Sequence, residues 1–205
     1  VDIQLGPWAE TRKKLERNEI DLIQGMFYSA ERDKTFDFTG AHTYVTNVIV
    51  SRDDVASAEN IEDLAGKIIV VMDGDITHDT IVKAGYSKQL ILAQTQQEAL
   101  RILSEGDVDY ALLAKVPANY WIEKEGITNL RVGNKALISS EYCYASHHAN
   151  QGLIELFAQG LSDLKAGGEY RAIHQKWLGV YEQQGINQQT IIRYTLLVTI
   201  PLILI

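Results

Sequence analysis

The chain is poor in the residues that staple or kink a fold. Its 205 residues include one cysteine, three prolines and two methionines. Cys143 alone cannot make an internal disulfide. Its place in the strand-like stretch Glu141-Tyr-Cys-Tyr-Ala-Ser146 reads as a small buried side chain rather than a nucleophile, so cysteine usage leaves the redox compartment open. Basic residues are in deficit, 19 against 27 acidic, for a net charge of −8. Phosphate binding needs a basic face, and a nucleic-acid partner is excluded on that ground. Catalytic signatures are missing as well: there is no His-Glu-x-x-His, no cysteine pair, no Gly-x-Ser-x-Gly and no phosphate loop. His147-His148 could hint at a metal, but adjacent strand residues face opposite ways, and the pair reads as structural. The expectation is a domain with no cofactor, no metal and no chemistry of its own.

What is present is globular. Hydrophobic residues make up 46% and charged residues 22%, ordinary values for a packed domain. The sequence opens at Val1 in a strand-like VDIQL with no signal peptide. It ends in twelve uncharged residues, Tyr194 to Ile205. A spanning helix needs about 20 apolar residues, and twelve reach only about 18 Å. With Arg193 and Tyr194 as an interfacial collar, residues 190–205 read as the start of a transmembrane helix, joined to the domain by a polar linker over 181–189. Both ends then look like cuts through a longer protein.

One phrase occurs twice. Leu15-Glu-Arg-Asn18-Glu-Ile20-Asp21-Leu-Ile-Gln and Leu103-Ser-Glu-Gly106-Asp-Val108-Asp109-Tyr-Ala-Leu share Leu, Asn or Gly, a β-branched residue and Asp at the same offsets, 88 positions apart by Asp21 and Asp109. Each reads as a helix end at a residue tolerant of the left-handed conformation, then a short buried strand. Two α/β lobes on one plan follow, with a ligand in the cleft between them. Helices are expected over Trp8–Arg17, from the 73–78 turn to Ala84, from a Thr95–Glu98 capping box to Glu105, from Pro117 to Glu125, along the apolar stripe from Leu153 to Leu164, and over Glu169–Trp177. Strands are expected at 20–24, 45–51, 67–72, 90–93, 108–113, 130–132 and 138–145. Their alternation with helices predicts mostly parallel sheets, with the ligand beyond the strand ends, at the Asp73–His78 turn.

Two features there could meet an anion. Arg32 follows the first strand, in a loop with Ser29 and Glu31, and can fork onto a carboxylate or pair with Glu31 or Asp33 on the surface. Asp73-Gly74-Asp75-Ile76-Thr77 offers free N–H groups where a helix begins, although Asp75 or Thr77 could simply be the cap. His78 could donate to a ligand.

Taken together, Trp8…Leu15…Asp21-Leu-Ile-Gln-Gly25…Ser29-Ala-Glu-Arg32…Phe36-Asp-Phe38-Thr39, then Ile61-Glu-Asp-Leu-Ala-Gly-Lys67, the Asp73-Gly74 turn, Glu98-Ala-Leu…Gly106-Asp-Val-Asp109 and Gly167-Gly-Glu-Tyr170…Ile173…Lys176-Trp177-Leu-Gly179 resemble the family 3 extracellular solute-binding proteins. The likeness covers about residues 5–180. Asp73–His78 and Phe38–Thr43 are most similar to the branch found as sensor domains of bacterial transmembrane histidine kinases.

The resemblance implies an α/β, two-lobed clamshell of the type II periplasmic-binding-protein kind. Lobe 1 is residues 1–45 plus 148–180, lacking the family's first strand and helix, and lobe 2 is residues 46–147. It implies a periplasmic sensor on the inner membrane, with a cytoplasmic signalling domain in the same chain and a homodimer as one arrangement; an importer's binding subunit or a periplasmic dehydratase are the alternatives. It places Trp8, Gln24, Phe27, Arg32, Asp75, Ile76, Thr77, His78 and Lys115 at the ligand, with Arg32 on its carboxylate. Phe27 aligns where the family usually has Ser or Thr. Ala114, followed by Lys115, aligns where an Asp usually holds the ligand ammonium. A carboxylate without an amine, or another small polar metabolite, fits this pattern better than a standard α-amino acid, whose ammonium would be buried unpaired.

Overall fold

The computed structural model describes residues 1–86 and 90–182. The elements run α1 (Trp8–Glu16), β1 (Leu22–Phe27), β2 (Phe36–Phe38), β3 (Thr43–Arg52), β4 (Ile69–Met72), α2 (Ile76–Lys83), β5 (Leu90–Ala93), α3 (Gln96–Glu105), β6 (Tyr110–Ala114), α4 (Lys115–Glu125), β7 (Leu130–Val132), β8 (Ile138–His147), α5 (Gln151–Gly167) and α6 (Glu169–Glu182). Short 3-10 turns lie at Arg32–Lys34, Ile61–Leu64 and His148–Asn150. Residues 1–159 form one compact unit, and the described residues from 160 on belong to a second.

The doubled phrase is real structure. Asn18 and Gly106 both have a left-handed backbone, at φ 55° and 103°, and each lets a helix stop and a strand begin. Leu15 and Leu103 are fully buried just before these turns. Asp109 then accepts the Ile68 N–H at 2.8 Å, which ties the start of β4 to that of β6. Thr95 caps α3 by accepting from the Glu98 N–H, while the Glu98 carboxylate accepts from Gln94 rather than from Thr95.

The strands form one sheet in the order β1-β8-β3-β6-β4-β5, with β2 added on β8 and β7 on β3. Only β4–β5 and β4–β6 are parallel; the β1, β2, β3, β7 and β8 pairings are antiparallel. The expectation of mostly parallel sheets is therefore corrected. Alternation of helix and strand along the chain does not require neighbours in sequence to be neighbours in space, and the long strands β3 and β8 pair with elements far from them in sequence. The VDIQL opening is likewise not a strand: residues 1–7 are irregular, with Val1, Ile3 and Leu5 exposed.

Alternation along the buried strands sets three packing clusters. Val48, Val50, Val70, Ala111 and Leu113 face α3 and α4 with Leu100, Leu103 and Ala118. Ile49, Ile69, Val71, Tyr110 and Leu112 face the other way, against Leu64 and Ile81 of α2. Helices thus cover both faces of this part of the sheet, as its near-continuous apolar strands require. A third cluster joins Leu15 of α1 to Ile23 and Met26 of β1, Phe36 and Ala145. Cys143 is buried in β8. Among the described residues no helix is long and apolar enough to cross a membrane; the expected linker at 181–189 lies at the edge of the described residues, with only Tyr181 and Glu182 inside them, and the expected span at 190–205 lies outside.

The histidine pair has a local role. His147 ends β8 and accepts the Ala149 N–H, which caps the turn into α5. His148 Nδ1 sits 2.8 Å from Asp37 Oδ1 of β2. That hydrogen bond raises the His148 pKa, so the pair's contribution to stability is full below about pH 6.5 and is lost as pH rises through the raised value. Asp37→Asn is expected to move the His148 titration down toward its ordinary value and to shrink this step, as read by NMR titration of its ring protons.

Candidate functional site

Arg32 is the centre of a buried polar cluster. The guanidinium lies at the start of the turn after β1, where Ser29 Oγ accepts its backbone N–H, and the residue is 2% exposed. Nε and Nη2 donate to Asp79 Oδ2 at 3.1 and 2.8 Å, Nη2 also to the Gly74 carbonyl at 3.0 Å, and Nη1 to the Phe27 carbonyl at 3.3 Å. The Trp8 ring lies under it at cation–π distance, with Cζ 5.9 Å from the ring centroid. Burial lowers the Arg32 pKa, and the Asp79 charge works against that shift. An unpaired cation buried this deeply would be prohibitive, so its partners are a condition of the fold here. The surface pairing with Glu31 or Asp33 is not what Arg32 makes.

The Gly74 carbonyl collects three donors: Trp8 Nε1 at 2.8 Å, Arg32 Nη2 at 3.0 Å and Arg12 Nη1 at 3.1 Å. Gly74 sits at φ 71°, a conformation open to glycine, and this turns its carbonyl toward α1. Trp8 and Arg12 are four apart on α1 and so share a face. Arg12 also reaches Asp79 Oδ1 at 3.7 Å. Its Nε lies 3.2 Å from Glu16 Oε1, yet that N–H is not aimed at a partner; the pairing is one of charge, not a hydrogen bond.

On the same turn, Asp75 begins α2 and is 2% exposed. Thr77 Oγ1 donates to its carboxylate at 3.3 Å. Burial raises the Asp75 pKa, against the Ile76 N–H and the Arg32 charge. The Gly74 N–H reaches His78 Nδ1 at 3.1 Å, and the same ring nitrogen lies 3.4 Å from Asp73 Oδ1. Tyr142 of β8 lies next to this acid. Its hydroxyl pKa is pushed up to about 12 by burial, helped by the Asp75 charge. The ring packs edge-on to Phe27 at 5.0 Å and to His42 at 5.4 Å. It covers Gly25 at the irregularity in the β1–β8 ladder, where a Cβ would come within 2.6 Å of Cζ and 2.8 Å of the hydroxyl.

Of the nine residues expected at the ligand, the structure gathers Trp8, Phe27, Arg32, Asp75, Thr77 and His78 with their partners around this turn, and Ile76 is buried beside them. Two stand apart. Gln24 is exposed and contributes its carbonyl to His42, and the Lys115 ammonium donates to Asn134 at 3.3 Å. Sequence reading missed Arg12, Asp79, Tyr142 and Asn47. Arg12 and Asp79 had a signal, since each lies one helical turn beyond a residue already singled out, Trp8 and Asp75. Asn47 had none: it is fully buried on β3 at the register position opposite Ala114, and neither of its side-chain polar atoms has a hydrogen-bond partner.

The family profile of the bacterial extracellular solute-binding proteins, family 3, matches residues 1–180. The chain belongs to that family. A solved structure described as a histidine kinase sensor domain with similarity to periplasmic binding proteins is 36% identical, with a TM-score of 0.83 over 87% of this chain and 78% of that one. A mutant of the protein ArgBP from T. maritima is 25% identical, with a TM-score of 0.78 over 87% of this chain and 77% of the other. Among curated relatives, the virulence sensor protein BvgS of Bordetella bronchiseptica is 22% identical over 81% of this chain, which spans 13% of that sensor's length. The arginine-binding periplasmic protein of Mannheimia haemolytica is 24% identical over 84% of this chain and 72% of its own. The fold is the α/β periplasmic-binding-protein type.

Because burial raises the Asp75 pKa, the folded state holds that proton more tightly than the unfolded state. Stability therefore falls as pH climbs from the ordinary carboxyl range through the raised value. Asp75→Asn is expected to raise the thermal midpoint at pH 7 and to flatten that slope, as followed by thermal melts across pH. Gly25→Ala is expected to push the Tyr142 ring off β1, costing about 1–3 kcal/mol in chemical denaturation and moving the Tyr142 titration down from about 12.

Proposed function

We propose that this chain is the extracytoplasmic, small-molecule-binding sensor domain of a transmembrane histidine kinase, and that the Trp8–Arg32 face of α1 and β1 closes with the Gly74–Asp79 turn upon the ligand. Residues 1–45 with 148–180 form one lobe and residues 46–147 the other. A linker over 181–189 and a membrane helix beginning near residue 190 carry the movement to a cytoplasmic signalling domain in the same chain. The observation that carries the reading is the Arg32 guanidinium. It is a buried cation that forks onto acceptors 42 and 47 residues away, so the residues that would grip a ligand also join two distant stretches of chain. The sensor domain of the 36% identical structure and the sensor protein BvgS support the signalling role.

A ligand shifts such an equilibrium only by its preference for one state. Moving it from 1:99 to 99:1 takes about 5.5 kcal/mol. The ligand is a small polar metabolite bearing a carboxylate. Relatives named for arginine binding favour an amino acid and an importer's binding subunit as the second reading; the buried Ala114 at the end of β6, where the family's ammonium-binding Asp aligns, favours a ligand without the amine.

The test is a thermal-shift screen of small carboxylic acids and amino acids, followed by calorimetric titration. A ligand at about 100 times its Kd adds about 2.7 kcal/mol, a shift of about 5–10 °C for a protein of this size. That shift is expected with an acid and is expected to be lost in Arg32→Ala. Undiminished binding by Arg32→Ala would remove this site from the reading. The reading frame past Ile205 separates receptor from importer subunit.

A further inference from the structure

We infer that the Asp79 carboxylate is a built-in stand-in for the anionic group of the ligand, and that the ligand is an acid which takes its place on Arg32. This rests on the reading of the Trp8–Asp79 cluster as the binding cleft.

Three observations carry it. Trp8 Nε1, Arg12 Nη1, and Arg32 Nε and Nη2 converge on just two acceptors, the Gly74 carbonyl and the Asp79 carboxylate. A carbonyl has two lone pairs, so three donors on Gly74 exceed what that oxygen can satisfy; Arg12 Nε, beside Glu16 at 3.2 Å, is not among them. The Gly74 oxygen is therefore oversubscribed, and an entering anion would offer its donors a further acceptor. Finally, the pair is lopsided. The Arg32 side chain is 1% exposed and the Asp79 side chain 42%. Asp79 can swing back to water without stranding a charge, whereas Arg32 cannot lose its anion unless another arrives. Exchange is the move this geometry allows: an acid entering from the solvent side replaces one carboxylate with another and leaves the buried cation paired throughout.

Two consequences follow. Without ligand, Asp79 holds the Gly74–Asp79 turn against Arg32 and α1. With ligand, the measured affinity is the intrinsic one reduced by the fraction of molecules in which Asp79 has let go.

The experiment uses Asp79→Ala in the full chain, with formate as the probe and chloride at equal ionic strength as control. The readout is the Arg32 side-chain Nε–H signal in protein labelled with 15N-arginine, alongside the thermal midpoint. In the native protein that signal is expected to be protected from exchange and insensitive to millimolar formate. In Asp79→Ala it is expected to broaden or shift, with a midpoint lowered by about 5 °C or more, and formate, unlike chloride, is expected to restore both. Formate binding at least about tenfold tighter in the variant than in the native chain completes the expectation. An Arg32 signal unchanged by Asp79→Ala, or one that chloride restores as well as formate, would overturn the inference. If Asp79→Ala fails to fold, Asp79→Asn keeps the shape without the charge, and native-like formate insensitivity in that variant would equally count against it. These outcomes need no physiological ligand, so the inference can fail while the sensor reading stands, and the reverse.

Discussion

Burying a guanidinium is the demand to which the rest of this domain answers. Arg32 cannot shed its proton, so its environment has to supply negative or dipolar partners on every side. The β1 end supplies the Phe27 carbonyl, the β4–α2 turn the Gly74 carbonyl, α2 the Asp79 carboxylate, and α1 brings the Trp8 ring within cation–π reach of the group. Each comes from a different element, and each element is fixed by its own apolar packing: Leu15 under α1, Met26 under β1, Ile81 under α2. Hydrophobic burial thus sets the frame, and the cation decides how the frame's edges meet. Removing one partner of such a pair costs far more than the pair's net worth, which makes the cluster specific rather than merely sticky.

The same turn contains a counterweight. Asp75 is buried with its charge disfavoured, helped first by the Ile76 N–H and then by the cation that Asp79 already pairs. A neutral or hydroxyl-bearing residue would sit there at less cost. Elsewhere in the sheet, the buried amide of Asn47 on β3 is left without a hydrogen-bond partner. Structural optimisation alone would have filled such positions with apolar groups or completed their hydrogen bonds.

Much of this was legible in the chain. The repeated Leu–Asn/Gly–Asp phrase located two helix–turn–strand units correctly, because a left-handed residue after a buried Leu is a local signal with local causes. The Asp73–Thr77 turn was found for the same reason. Sheet order was not legible, since β3 and β8 take their partners from strands far away in sequence and nothing within either strand encodes that choice. Arg32 was visible as a candidate, but its partner was not. Asp79 is an unremarkable acid in the first turns of a helix until the fold brings it to a cation 47 residues earlier. The opening VDIQL shows the converse failure, a strand pattern with no strand beside it to complete the ladder.

β3 and β8 are each ten residues long; β8 pairs with β1 and β2 and, from Ile138 to Tyr142, with Thr43–Asn47 of β3, and β3 goes on into the part of the sheet flanked by helices on both faces. At Asn47, β3 changes neighbours, pairing with Ile138 of β8 and with Ala114 of β6. Two straps laid side by side resist shear and stretch, because their hydrogen bonds lock register, yet they bend readily out of plane. The Leu15 cluster and the two clusters beyond are thus tied through β3 and β8, and a load on one reaches the others along that ladder.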